Sequence, residues 1–162
     1  MTHEKTTSYY FASFLLAACS TTTSISNLPK SPQLYQTYKI NDVSNQNVDK
    51  RIRQIFMDTL KKRLTDLGYQ QGNALRIDYN IQVYNQGNRA LRYFVGFGAG
   101  KAETTILTTI KNKSGKNIGN IKTNADLKIG FFGGNAEQII ENAAADVANE
   151  IWKSDLLKNN KK

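Results

Sequence analysis

The segment Leu75–Tyr84, LRIDYNIQVY, constrains the fold more than any other stretch. Leu75, Ile77, Tyr79, Ile81 and Val83 alternate without a break with Arg76, Asp78, Asn80 and Gln82. Side chains of a strand point to opposite faces in turn, so this period of two puts one face in a core and the other in water. A sheet wet on one face is antiparallel or mixed; a parallel sheet covered on both faces reads as a continuous apolar run.

The other elements fit around that strand. Leu34–Asp42 alternates loosely, with Leu34, Tyr38 and Ile40 on one side. Val48, Ile52, Ile55, Phe56, Leu60, Leu64 and Leu67 then recur at spacings of three and four, and Lys50, Arg51, Arg53, Lys61, Lys62 and Arg63 mostly take the opposite face. This predicts an amphipathic helix with cap candidates in Ser44–Asn47 and a stop at Gly68. Lys101–Lys111 and Ile118–Ile129 read as two strands joined by a tight turn at Lys113–Lys116. Their inward sets are Ala102, Thr104, Ile106, Thr108 and Ile110, and Ile121, Thr123, Ala125, Leu127 and Ile129. Asn135 and Gln138 have the spacing of a capping pair. The helix they open buries Ala136, Ile139, Ile140, Ala143, Ala144, Val147, Ala148, Ile151 and Trp152, with Trp152 anchoring the end of the core. The order β-α-β-β-β-α predicts an α+β fold, a two-layer sandwich with a four-stranded mixed or antiparallel sheet and two helices on one face. One domain spans residues 34–157; the chain frays from Leu156 and ends in a basic tail, 158–162.

Ahead of the domain lies Tyr9–Ala18, a mostly apolar run too short to span a bilayer as a stable helix, followed by Leu16-Ala-Ala-Cys19. LAAC is similar to a bacterial lipobox. That resemblance implies cleavage of residues 1–18 as a signal peptide and lipidation of Cys19. A plain signal peptide and an ordinary buried cysteine are the alternatives. Two or more acyl chains anchor stably where one does not. The residue after the cysteine is Ser20, not the inner-membrane-retaining Asp, which implies the outer membrane, facing the periplasm. Ser20–Pro32 is rich in Ser, Thr and Pro, so residues 19–33 are expected to be a flexible tether. Extended, such a run reaches roughly 40 Å.

Maturation narrows the chemistry. By the lipobox resemblance the only histidine, His3, leaves with the signal, and the only cysteine, Cys19, carries lipid. Triads, Cys/His pairs and His- or Cys-based metal sites then lack their residues. Gly100-Lys101 is followed by Ala102, where a phosphate loop needs Ser or Thr, and Gly96, Gly98 and Gly100 miss the dinucleotide spacing by one residue. Glu103 and Asp126 fall on adjacent strands without marking an acid/base pair. The expectation is a non-enzyme with no cofactor, no metal and no catalytic residues.

The formal charge of +9 suits an anionic surface or an acidic partner, and export removes nucleic acid as a target. Strand direction brings the segments Gly87–Gly100 and Gly130–Gly134 to the same end of the sheet. Arg89, Arg92, Tyr93, Phe94, Phe97, Phe131 and Phe132 lie in them. An aromatic patch rimmed by arginine reads as an interaction site; caps on the core, with glycines serving tight turns, are the other reading. The run GNRALRYFVGFGAGKAE, with the Ser-Gly hairpin, strand, glycine turn and Ala-rich helix after it, resembles the bacterial lipoprotein family catalogued as domain of unknown function 4410 over about Leu34–Trp152. The resemblance implies a location and a fold, and no activity. The functional expectation is a membrane-anchored, non-catalytic accessory of envelope assembly or maintenance that binds an envelope protein. The alternative is a binder of anionic lipid or glycan surface through the basic helix face and tail.

Overall fold

The computed structural model describes residues 19–30, 35–85, 102–128 and 136–158. The elements run β1 (Cys19–Ser26), β2 (Thr37–Asp42), α1 (Lys50–Asp66), β3 (Gln70–Gln71), β4 (Leu75–Asn85), β5 (Ala102–Asn112), β6 (Asn117–Lys128) and α2 (Ala136–Lys153). The strands form one sheet in the order β1-β6-β5-β4-β2-β3. Neighbours are antiparallel from β1 to β4, and β2 is parallel to both β4 and β3. Helices α1 and α2 pack against each other and the sheet. Between helices and sheet lie Phe56, Leu60, Leu64, Ile140, Val147 and Ile151 with Tyr38, Leu75, Ile77, Tyr79, Ile106 and Ile121, all at most 1% exposed. Each such side chain stabilises the fold by roughly 1.5–3 kcal/mol.

The α+β architecture holds, but the sheet has six strands, not four. One addition is the two-residue β3. The other is β1, which occupies the stretch expected to be a tether. It pairs with β6 along its whole length, from Cys19↔Lys128 to Ser26↔Ile121. Ser24 Oγ and Thr123 Oγ1 share a hydrogen bond of 2.8 Å across the pair. The contact persists below the strand, where Asn27 N donates to Asn120 O at 3.1 Å. A Cβ at Gly119 would lie 2.8 Å from Leu28 Cδ2, so glycine permits the chain to cross there. Among the described residues the sheet thus already includes Cys19–Ser26, a stretch expected to lie outside the domain.

Helix α1 is capped by Asp49, whose carboxylate accepts from Arg51 N at 2.7 Å, and not from within Ser44–Asn47. Ser44 is used elsewhere: its hydroxyl accepts from Ile81 N at 3.1 Å. The other end closes as expected. Gly68, at φ +89°, lets its own N–H reach Thr65 O and Tyr69 N reach Leu64 O, a Schellman pairing that uses two orphan carbonyls. The β5–β6 hairpin also turns as expected, on Gly115 at φ +82°.

Two expected core positions are corrected. The β4–β5 register shifts between Ile81 and Val83, which turns Val83 to the open face, 46% exposed. A bulge adds one residue to one strand and so reverses the alternation beyond it. Trp152 is 51% exposed. Asp155, at φ +55°, reverses the chain after α2, and Leu156 and Leu157, 1% exposed each, fill the end of the core instead. Tyr35 N donates to Leu156 O at 3.0 Å and Lys158 N donates to Tyr35 O at 2.8 Å, so Leu156 and Leu157 do not fray.

Candidate functional site

The strand registers define one end of the sheet. Asn85, the last residue of β4, pairs with Glu103, and Ala102, the first of β5, pairs with Leu127. Lys128, the last of β6, pairs with Cys19. A row Cys19–Lys128–Ala102–Asn85 therefore crosses four strands at one rim. Segment 86–101 connects the rim ends of β4 and β5, and segment 129–135 follows the rim end of β6. Arg89, Arg92, Tyr93, Phe94, Phe97, Phe131 and Phe132 belong to those segments and lie outside the described residues, as do Asn135 and Leu34. The placement of Cys19 on the same rim was not legible beforehand, because it follows from a strand that has no apolar pattern.

Helix α1 starts below the rim. Its lead-in loop is fixed by Val43 N on Tyr79 O, 2.9 Å, and by Ser44 on Ile81 N. From Ile81 the strand β4 continues to Asn85. The first turns of α1 and α2 are joined by Arg51 and Glu137, 3.0 Å apart. One row in from the rim, on the open face, the exposed Glu103 and Asp126 sit directly opposite each other.

Two charged clusters hold β4 from either face. On the core side Arg53 Nη1 binds Asp42 Oδ2 at 3.0 Å, both 17% exposed, and Tyr79 Oη donates to Arg53 O at 2.8 Å. Burial opposes the Asp42 charge, but hydrogen bonds from Ser44 and Arg53 outweigh it and hold the carboxyl below its ordinary 3.8. Burial, with Asp42 nearby, pushes the Tyr79 hydroxyl well above the usual tyrosine range. On the open face Asp78 is 3% exposed. It accepts from Lys111 Nζ at 2.7 Å and from Asn41 Nδ2 at 3.2 Å. Arg76 Nε lies 3.1 Å away but off the hydrogen-bond axis. Both clusters are paired within themselves and serve the fold.

The basic face of α1 is partly neutralised. Arg51, Arg53 and Lys62 each have a carboxylate partner, on Glu137, Asp42 and Asp66. At the end of the sheet opposite the rim, Trp152 with Lys30, Tyr69, Glu150 and Asp155 lines an open cleft of about 620 Å³. Among the described residues no three His, Cys, Asp or Glu side chains group as metal ligands. Among the same residues no helix is long and apolar enough to cross a membrane.

The family model described as "Domain of unknown function (DUF4410)" matches residues 21–130. No curated protein matches the chain in sequence. The fold is similar to PelC of Paraburkholderia phytofirmans, solved as a dodecamer, at 7% identity and TM-score 0.61, covering 80% of this chain and 97% of that one. It is also similar to a DUF330 protein of Xanthomonas campestris, at 9% identity and TM-score 0.52, covering 77% and 84%. At these identities the likeness is one of fold alone. It covers most of each chain.

Proposed function

The chain belongs to the DUF4410 family, and we propose that it is an outer-membrane-anchored periplasmic lipoprotein, lipidated on Cys19, whose domain binds a partner in envelope assembly or maintenance without catalysing a reaction. The observation that carries this reading is the position of Cys19. The residue that the LAAC motif would lipidate is also the first described residue of the sheet, on the rim from which the two glycine- and aromatic-rich segments depart. Anchor and candidate docking segments thus share one end. The partial neutralisation of the α1 basic face favours this reading over a binder that works through that face.

The test has two arms. Mass spectrometry of the Cys19 peptide should show acyl chains, and Cys19→Ser should move the protein from the outer-membrane fraction to the soluble one. Affinity capture from detergent-solubilised envelopes should then recover a partner with wild type that is lost with Arg89→Ala/Arg92→Ala at unchanged thermal stability. An unmodified Cys19 sinks the anchor. Identical captures from wild type and variant sink the docking role of the arginines.

A further inference from the structure

Resting on the lipid-anchor reading, we infer that the sheet end marked by Cys19, Lys128, Ala102 and Asn85 is held facing the phospholipid headgroups of the membrane, with no leash between lipid and domain.

Three observations lead there. The chain between the lipidated residue and the fold has no length. A tether of residues 19–33 would let the domain drift by tens of ångströms, but Cys19 is itself paired in the ladder, and Asn27 remains hydrogen-bonded to Asn120 beyond the strand. The direction of β1 is the second. It runs antiparallel to β6 and begins at the end where β6 finishes, so the acylated residue is at the rim and not at the hairpin end. The third is shape. The lead-in to α1 is tied at Ile81, while β4 runs on to Asn85. Across the bulge, the pairs Ile81↔Ile106 and Asn85↔Glu103 are three β5 residues apart, which at about 3.3 Å each raises the strand end about 10 Å above that tie.

Seating of this kind is imposed by covalent geometry, not by charge. Glu103 and Asp126, side by side just below the rim, would be repelled by anionic headgroups if the domain were free. The opposite end then faces away from the membrane. β5 has 11 residues, which at about 3.3 Å each carry the Lys113–Lys116 turn and the Trp152 cleft roughly 35 Å from the lipid.

The test uses the lipidated protein in vesicles of phosphatidylethanolamine and phosphatidylglycerol carrying a nitroxide on the headgroup. Cys19 is the only cysteine and is blocked by lipid, so a second cysteine takes a fluorophore selectively. Val83→Cys reports from the open face near the rim, and Ser114→Cys from the far turn; both native side chains are exposed. The expected result is strong quenching at position 83 and none at 114. An insert of about twenty Gly/Ser residues between Cys19 and Ser20 should abolish the quenching at 83. Vesicle-bound protein quenched at neither position would overturn the seating alone. Quenching at 83 that survives the insert would overturn the covalent origin argued here. Protein that does not float with vesicles, with no acyl mass on Cys19, would overturn the anchor reading beneath it.

Discussion

Asp78 offers the sharpest test of how the open face is held. Its carboxylate is 3% exposed on the face that the helices leave uncovered, shielded by Lys111, Asn41 and Arg76. Removing one member of a buried ion pair costs about 3–5 kcal/mol, because the other charge is left without its partner. Here the partners are partly wet, Lys111 at 28% and Arg76 at 37% side-chain exposure, and they can turn to solvent. That discount brings the expectation for Asp78→Ala to about 2–3 kcal/mol. For a chain of this size the melting temperature should fall by about 4–12 °C. The pairwise share is isolated by a double-mutant cycle with Lys111→Ala in urea. A charge-assisted hydrogen bond of 2.7 Å predicts a coupling of about 1.5–3 kcal/mol, so that the double variant is less destabilised than the sum of the singles. A coupling indistinguishable from zero would refute the reasoning and make Asp78 a bystander held by Asn41 and the backbone.

Other expectations follow from single sites. Asp42 is held below 3.8 in the fold, so its contribution is present above the unfolded value and is lost as pH falls through the lower folded one. Stability measured from pH 5 downward should decline, and Asp42→Asn should start lower and flatten that decline. Val83→Thr should change stability by less than about 0.5 kcal/mol because the bulge has turned Val83 outward. Ile81→Thr, two residues earlier and 1% exposed, should lower it by at least about 1.5 kcal/mol. Equal effects at the two sites in chemical melts would contradict the register shift. Thr108 Oγ1 is buried with no hydrogen-bond partner among the described residues, so Thr108→Val should raise stability by up to about 1 kcal/mol. Gly119→Val should push Leu28 and Asn27 O aside and cost roughly 1–3 kcal/mol, with faster amide exchange along β1. Unchanged exchange there would mean that β1 does not depend on the crossing at Gly119.

What the sequence made legible was whatever had a period. The 3.6-residue pattern of α1 and α2 and the alternation of β4, β5 and β6 placed Ile52, Phe56, Leu60, Leu64, Ile106, Ile110, Ile121, Ile140 and Ile151 correctly in the core. Positions beyond a local irregularity were not legible. Val83 follows a bulge, and a bulge is set by pairing with β5, which no window on β4 contains. Trp152 lies four residues after Ala148 on the expected face, yet the left-handed Asp155 brings Leu156 and Leu157 back into that space. On the site, strand direction alone located the common departure point of the two glycine-rich segments, because Asn85, Ala102 and Lys128 had to share an end. Cys19 could not be added, since its neighbour in space is 109 residues away at Lys128 and nothing in its own surroundings pointed there.

The Ser/Thr run shows why composition misled at this one place. A segment with few apolar side chains cannot stabilise order by burying its own surface. It can still be ordered by a neighbour whose backbone is already fixed. β6 without β1 would offer a twelve-residue edge of free N–H and C=O groups, with Ile121 beside it. Long bare edges of that kind invite pairing with other chains. β1 satisfies that edge, and threonine suits a half-buried pleated surface while offering little apolar area of its own. Small side chains also leave room for α2, which packs over β1 as well as over β5 and β6. The polar composition that reads as a tether is therefore what a covering edge strand requires, and its pairing with β6 brings Cys19 to the rim.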